Sequence, residues 1–179
     1  MFALEHSKAA YWVDYLLYAT AIAGLTACVL LFAPPGRWIE ILALMFAGLA
    51  VWPLIEYAMH RFVLHGVEPF KSWHAVHHGR PSALVSTPTI LSSTLIALLV
   101  FVPVLLVGTL WSALAITLGL TAGYLTYAVC HHAAHHWRPR GRWMLERKRW
   151  HALHHARGGA ACYGVTSTLW DRVLRTGPL

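Results

Sequence analysis

IEILALMFAGLAVWPLIEYAMHRFVLH, residues 39–65, decides the fold: a near-continuous apolar run ends on one histidine, and a second follows five residues later. From Ile39 to Met59 it supplies the ~20 helical residues needed to cross a hydrocarbon core of about 30 Å. Tyr11–Ala33, Ile90–Thr109 and Leu110–Cys130 are stretches of the same kind, which makes four. PPGR at 34–37 closes the first, and little more than Gly108–Trp111 separates the last two. Such short connections make two antiparallel helical hairpins.

Composition points the same way. A chain of 179 residues that is 58% hydrophobic and 12% charged, with mean hydropathy +0.53, lies outside the range of a soluble domain of this size. The expectation is an all-α integral membrane protein, a single membrane-embedded domain over 1–179. The N-terminal MFALEHSKAAYWVDYLL has mixed charges and no small-residue cleavage site, so it reads as part of the mature chain. Cys28, Cys130 and Cys162 are far apart without CxxC spacing and are expected to pack, not to build a disulfide framework.

Of the 14 Lys and Arg, only Arg37 falls in a far-side connection; Lys8, Arg61, Lys71, Arg80 and all those from Arg138 onward share the side of both termini. The positive-inside tendency places that side in the cytosol. The net charge of +7 needs no nucleic acid to explain it. RPRGRWMLERKRW (138–150) fits an anionic lipid surface, since Trp favours the headgroup region and Lys/Arg gain from negative lipids.

Four clusters on that side, HRFVLH (60–65), HAVHH (74–78), HHAAHH (131–136) and HALHH (151–155), hold 12 of the 13 histidines, all but the N-terminal His6. On a helix, positions i, i+3 and i+4 share a face, so HAVHH and HALHH each project three imidazoles in nearly one direction. HHAAHH offers two overlapping i, i+4 pairs, 131/135 and 132/136. Neutral imidazole binds iron, zinc, copper and nickel, and about ten of them exceed one ion's needs, so two metals are expected. A structural zinc site closes with four ligands and often uses Cys; an all-histidine pair of redox metals at a membrane surface points to oxygen chemistry on a lipid. The spans hold few polar residues beyond Asp14 and Glu56, which argues against a metal transporter or other non-enzymatic metal-binding membrane protein. Glu56, one turn before His60, is placed to orient a ligand imidazole.

From about Glu56 to Thr176 the chain resembles the fatty acid hydroxylase and sterol desaturase superfamily of histidine-box membrane di-iron enzymes, and within it the fatty acid 2-hydroxylases. EYAMHRFVLH is similar to that group's first box, HAVHH to its second, GYLTYAVCHHAAHH to its third, and HALHH with YGVTSTLWDRVLRT to its last box and tail. The resemblance implies four transmembrane helices with a cytosolic, histidine-rich helical cap. It implies two iron ions, with zinc able to replace them in a purified sample, held by His60, His65, His74, His77, His78, His131, His135, His151, His154 and His155. It favours 131/135 over 132/136 because Tyr127 stands where the family's Tyr-Asp-x-x-His pattern has its tyrosine, although Ala128 replaces the Asp. Tyr127 and Glu56 are the implied catalytic residues beside the metals. The implied reaction is O2-dependent hydroxylation of a lipid acyl chain at carbon 2. The implied electron source is a separate donor, a cytochrome b5-like protein or a ferredoxin with its reductase, because the chain has no GxGxxG, flavin or haem motif. Carotenoid ring hydroxylation and sterol or lipid desaturation are the neighbouring chemistries; the GVTS…WD tail fits the fatty acid side better.

Overall fold

The computed structural model describes residues 7–178; the readings of His6 and of the chain before Ser7 lie outside them. Every regular element described is helical: α1 (Lys8–Phe32), α2 (Trp38–Ala58), α3 (Phe70–Gly79), α4 (Thr89–Ile96), α5 (Val102–Val107), α6 (Leu110–His136), α7 (Arg142–Ala156) and α8 (Leu169–Val173). Ser7 caps α1 by accepting the N–H of Ala10 on Oγ at 3.2 Å. A π-helical turn, Met59–Leu64, extends α2, and another, Ala97–Phe101, joins α4 to α5.

Four helical runs are long and apolar enough to cross a membrane, Lys8–Phe32, Pro35–Leu64, Thr89–Val107 and Leu110–His136. They are the four spans expected, in two hairpins. Two of them overrun their expected ends: helix continues to Leu64 and to His136, so His60 and His131–His136 sit on helices instead of following them. Hydropathy falls before the helix does, because nothing in CHHAAHHW breaks a helix and the next proline is Pro139.

The chain divides into two compact units. The first comprises residues up to Trp52 and Leu84–Leu125. Its core is Val29, Ile41, Leu114 and Ala115. A Cβ on Gly119 would stand 2.0 Å from the carbonyl oxygen of Met45, so glycine is what lets α6 and α2 touch backbone to backbone. Leu30, Leu31, Phe46, Leu99 and Leu106 face outward, the surface that hydrocarbon would cover. Several of its polar side chains pair with one another, as a low-dielectric setting favours. Asp14 accepts from Ser86 at 3.0 Å and from Thr89, Tyr18 meets Ser92 at 2.6 Å, and Arg37 donates to Thr109 at 2.7 Å.

The second unit, Pro53–Ala83 with Thr126 onward, holds the end of α2, α3, the end of α6, α7 and α8. All four histidine clusters lie in it.

Candidate metal centre

Ten imidazoles converge here as two groups. His60, His65, His74, His78 and His154 form one, and His77, His135, His151 and His155 the other, each with its nitrogens within 4.8 Å of one another. His131 joins the second, its Nε2 3.0 Å from that of His77. In the first group the Nε2 pairs 60/74, 74/78, 78/154 and 65/154 are 3.0–3.1 Å apart. In the second, His77 Nε2 also lies 3.1 Å from those of His135 and His155, and His135 and His151 approach to 2.7 Å. A ring nitrogen has one in-plane hydrogen-bonding direction, so three neighbours around His77 Nε2 do not describe a hydrogen-bond network. Nitrogens about 2.1 Å from a shared ion and at right angles stand about 3.0 Å apart (√2 × 2.1). The spacing therefore fits a metal at the centre of each group.

Helix geometry sorts the donors. At about 100° per residue, i+4 lies about 40° from i, while i+3 lies about 60° away on the other side. Each HxxHH is accordingly split: His74 and His78 enter the first group and His77 the second, while His151 and His155 enter the second and His154 the first. The expectation that each triplet points one way is corrected by that divergence. His60 and His65 are five apart, a spacing that an α-helix would turn to different faces; the π-helical turn Met59–Leu64 closes i→i+5 hydrogen bonds and brings both to one group. Gly159, at φ +77°, lies against His65, where a Cβ would come 2.1 Å from Cε1.

His131 and His135 face the groups, while His132 and His136 stack on each other at 4.5 Å, with His132 edge-on to Trp137. Tyr127 lies flat beside His131, centroids 5.8 Å apart and planes 19° apart.

Glu56 is buried; its carboxylate accepts the N–H groups of Val165 (2.5 Å) and Thr166 (3.0 Å) and the Thr166 hydroxyl. From the other side Arg147, also buried, donates to the Thr166 carbonyl at 3.1 Å. The loop so held offers carbonyls to two histidines: Tyr163 O accepts from His60 Nδ1 at 2.5 Å, and Ala161 O from His154 Nδ1 at 2.7 Å. Placing the proton on Nδ1 leaves Nε2 free to bind a cation. Sequence reading passes over these carbonyls and Arg147, since a backbone acceptor leaves no residue signature and Arg147 is one of many basic residues in its segment.

Burial keeps the rings neutral. It pushes His77 down to about 2, His154 to about 3, and His65 and His155 to about 4, with His74, His78 and His151 also lowered. Loss of water is the first cause in each. Repulsion from neighbouring imidazoles adds to it in all but His78, and the bond to Ala161 works the other way at His154. Neutral imidazoles with inward lone pairs are a donor set for a borderline metal ion.

Fold and site together define a class: an all-helical membrane protein whose paired histidine groups could each hold a metal ion. A sequence model of the family described as fatty acid hydroxylase matches residues 45–176. The chain is 32% identical over 177 residues to dihydroceramide fatty acyl 2-hydroxylase FAH2 of Arabidopsis thaliana, covering 93% of this chain and 69% of that one. It is 32% identical over 146 residues to ceramide very long chain fatty acid hydroxylase scs7 of Schizosaccharomyces pombe, covering 74% and 42%. The solved structure described as full length scs7p, only hydroxylase domain visible, superposes with a TM-score of 0.82 at 25% identity, covering 98% of this chain and 68% of that one. The chain belongs to the fatty acid hydroxylase family.

Proposed function

We propose that this chain is a di-iron, O2-dependent hydroxylase that places a hydroxyl on carbon 2 of a membrane lipid's acyl chain. The observation that carries the reading is the convergence of ten imidazoles, five to a group, in a member of this family. The names of the similar Arabidopsis and fission yeast proteins support acyl chains of the ceramide type as substrate. His60, His65, His74, His78 and His154 would hold one iron, and His77, His131, His135, His151 and His155 the other. Bound there, the pair would supply O2 activation and cleavage of an unactivated C–H bond, which side chains alone cannot perform. The protein's part is to hold the rings buried and close together, with Nδ1 of His60 and His154 fixed as donors to backbone carbonyls, and to keep the site dry. Glu56 holds the loop behind His60, and Tyr127 packs on His131.

Hydroxylation puts one oxygen of O2 into the C–H bond and releases the other as water, consuming two electrons and two protons. A separate carrier, cytochrome b5-like or a ferredoxin with its reductase, supplies the electrons, and the basic segment Arg138–Arg149 suits an acidic partner. The charge bias of the connections supports cytosolic termini and histidines.

Helix length favours a carbon near the polar end, position 2 or 3, and the name of the similar Arabidopsis 2-hydroxylase favours carbon 2. His131 stands 21 residues beyond Leu110 on α6, about 32 Å at 1.5 Å per residue, just past a core of about 30 Å. A carbon beside the lipid's polar end reaches that depth while its tail stays in hydrocarbon; a mid-chain carbon would have to fold back out of the bilayer. Mass spectrometry of fatty acids released from cells producing the chain, against cells producing the His154→Ala variant, should reveal one added oxygen at carbon 2. A hydroxyl near the chain centre, or hydroxylated carotenoid with unchanged fatty acids, refutes the assignment.

A further inference from the structure

Asp171 is fully buried, at 0% exposure, and three donors converge on its carboxylate. One oxygen takes the N–H of Tyr163 at 2.9 Å and the hydroxyl of Thr176 at 2.7 Å; the other takes the N–H of Gly164 at 2.7 Å. Gly164 admits this approach because it has no side chain: a Cβ would stand 2.9 Å from that same Asp171 oxygen and 2.0 Å from the carbonyl of Ser167.

The N–H of Gly164 and the C=O of Tyr163 are the two ends of one peptide group. That group is planar, and in the trans form its N–H and C=O point in opposite directions. At one end stands the Asp171 carboxylate, and at the other the Nδ1–H of His60, 2.5 Å away. Fixing the N–H fixes the direction of the C=O. A negative charge at the N–H end also polarises the amide and makes its oxygen a stronger acceptor, as successive hydrogen bonds do in a chain. With an ion bound by His60, the arrangement would be a carboxylate–histidine–metal triad with one peptide bond inserted.

We infer that Asp171 is a positioning residue for the first metal group, acting through the Tyr163–Gly164 peptide to orient His60 and increase its donation to the ion. The inference rests on the two-metal reading above, and it assigns the effect to the group of His60 and His154, leaving that of His77 and His135 untouched.

Cobalt(II), whose visible bands report coordination, tests it on the purified full chain in detergent. Wild type is expected to take up two equivalents. Asp171→Asn keeps the shape, removes the charge and presents an NH2 to a site built of donors. It should bind one equivalent as wild type does and the other on the order of 10–100-fold more weakly, with residual bands matching those of His60→Ala and not those of His135→Ala. Tyr57→Phe, which removes a hydroxyl 3.0 Å from that of Thr176 and leaves the peptide relay in place, should bind both as wild type does. Wild type that takes up two equivalents while Asp171→Asn matches it, or loses both equally, overturns the relay alone. Wild type that takes up none overturns the metal reading and the relay with it. If Asp171→Asn does not accumulate folded, the cobalt-loaded wild type decides by NMR: the relay requires a slowly exchanging, paramagnetically shifted Nδ1–H for His60, and its absence overturns the proposal.

Discussion

The two histidine groups are built by different means. Every member of the second comes from a helix surface: His77 on α3, His131 and His135 on α6, His151 and His155 on α7. The first needs irregular chain, a π-helical turn for His60 and His65 and a loop whose carbonyls hold His60 and His154. The buried Nδ1 atoms of His77, His151 and His155 meet no hydrogen-bond partner among the described residues. The lesson is that periodicity alone can place a donor on a rigid helix, whereas a donor on irregular backbone depends on buried polar groups elsewhere.

The largest effects should come from removing one donor from each group. Both His154→Ala and His77→Ala are expected to reduce hydroxylation to background while the chain still inserts in membranes, since neither residue lies in a span. If one variant kept wild-type activity, the group it belongs to would not be needed for the reaction and the symmetry of the pair would be broken. Product analysis, together with membrane fractionation, reads both quantities.

That contrast also governs what was legible in advance. Four spans in two hairpins follow from hydropathy, box spacing marks the four histidine clusters, and the family resemblance picks out the ten histidines that the structure gathers. That 131/135 and 151/155 each share a helix face can be read directly, because the α-helix is a local structure, whereas the preference for 131/135 over 132/136 came from the resemblance. The division of HAVHH and HALHH between two groups was missed by treating i+3 and i+4 as one direction. The support of the first group was not legible at all: Asp171 acts on His60 through a backbone peptide, and peptides are identical at every position. Glu56 drew notice as an acid one turn from His60, but its carboxylate grips Val165 and Thr166, a contact that only the fold creates.

Glu56→Gln sharpens the comparison next. The amide keeps one acceptor but presents N–H to a site built of donors, leaving a buried group unsatisfied at about 1–3 kcal/mol. Thermal unfolding should register that loss, and metal retained against a chelator should fall on the order of 10–100-fold for one ion only. Equal weakening of both ions would mean that the loop supports the whole centre and that the two groups do not differ.

Gly159→Ala acts on the same group more gently. The left-handed φ of +77° costs an L-residue about 1–2 kcal/mol, and the added methyl must displace the His65 ring. About a tenfold weakening of the first ion is expected, by the relation of 1.4 kcal/mol per tenfold. Unchanged affinity there would imply that His65 is dispensable and that four imidazoles hold the first ion.

The smallest effect is expected at His132, and it tests the helical rule behind the second group. His132 is as near in sequence to the centre as His131, but one residue turns a helical side chain by about 100°. It is buried, 7% exposed, against His136 and Trp137 instead of the other imidazoles. His132→Ala should therefore cost about 1 kcal/mol of stability, typical of a single substitution, and leave turnover within about twofold, since that much of an activation free energy is only about 0.4 kcal/mol. His131→Ala, by contrast, should lose hydroxylation altogether. An inactive His132→Ala beside an active His131→Ala would shift the register to 132/136, rotate the end of α6 by one residue and remove the helix-only construction on which the contrast between the two groups depends.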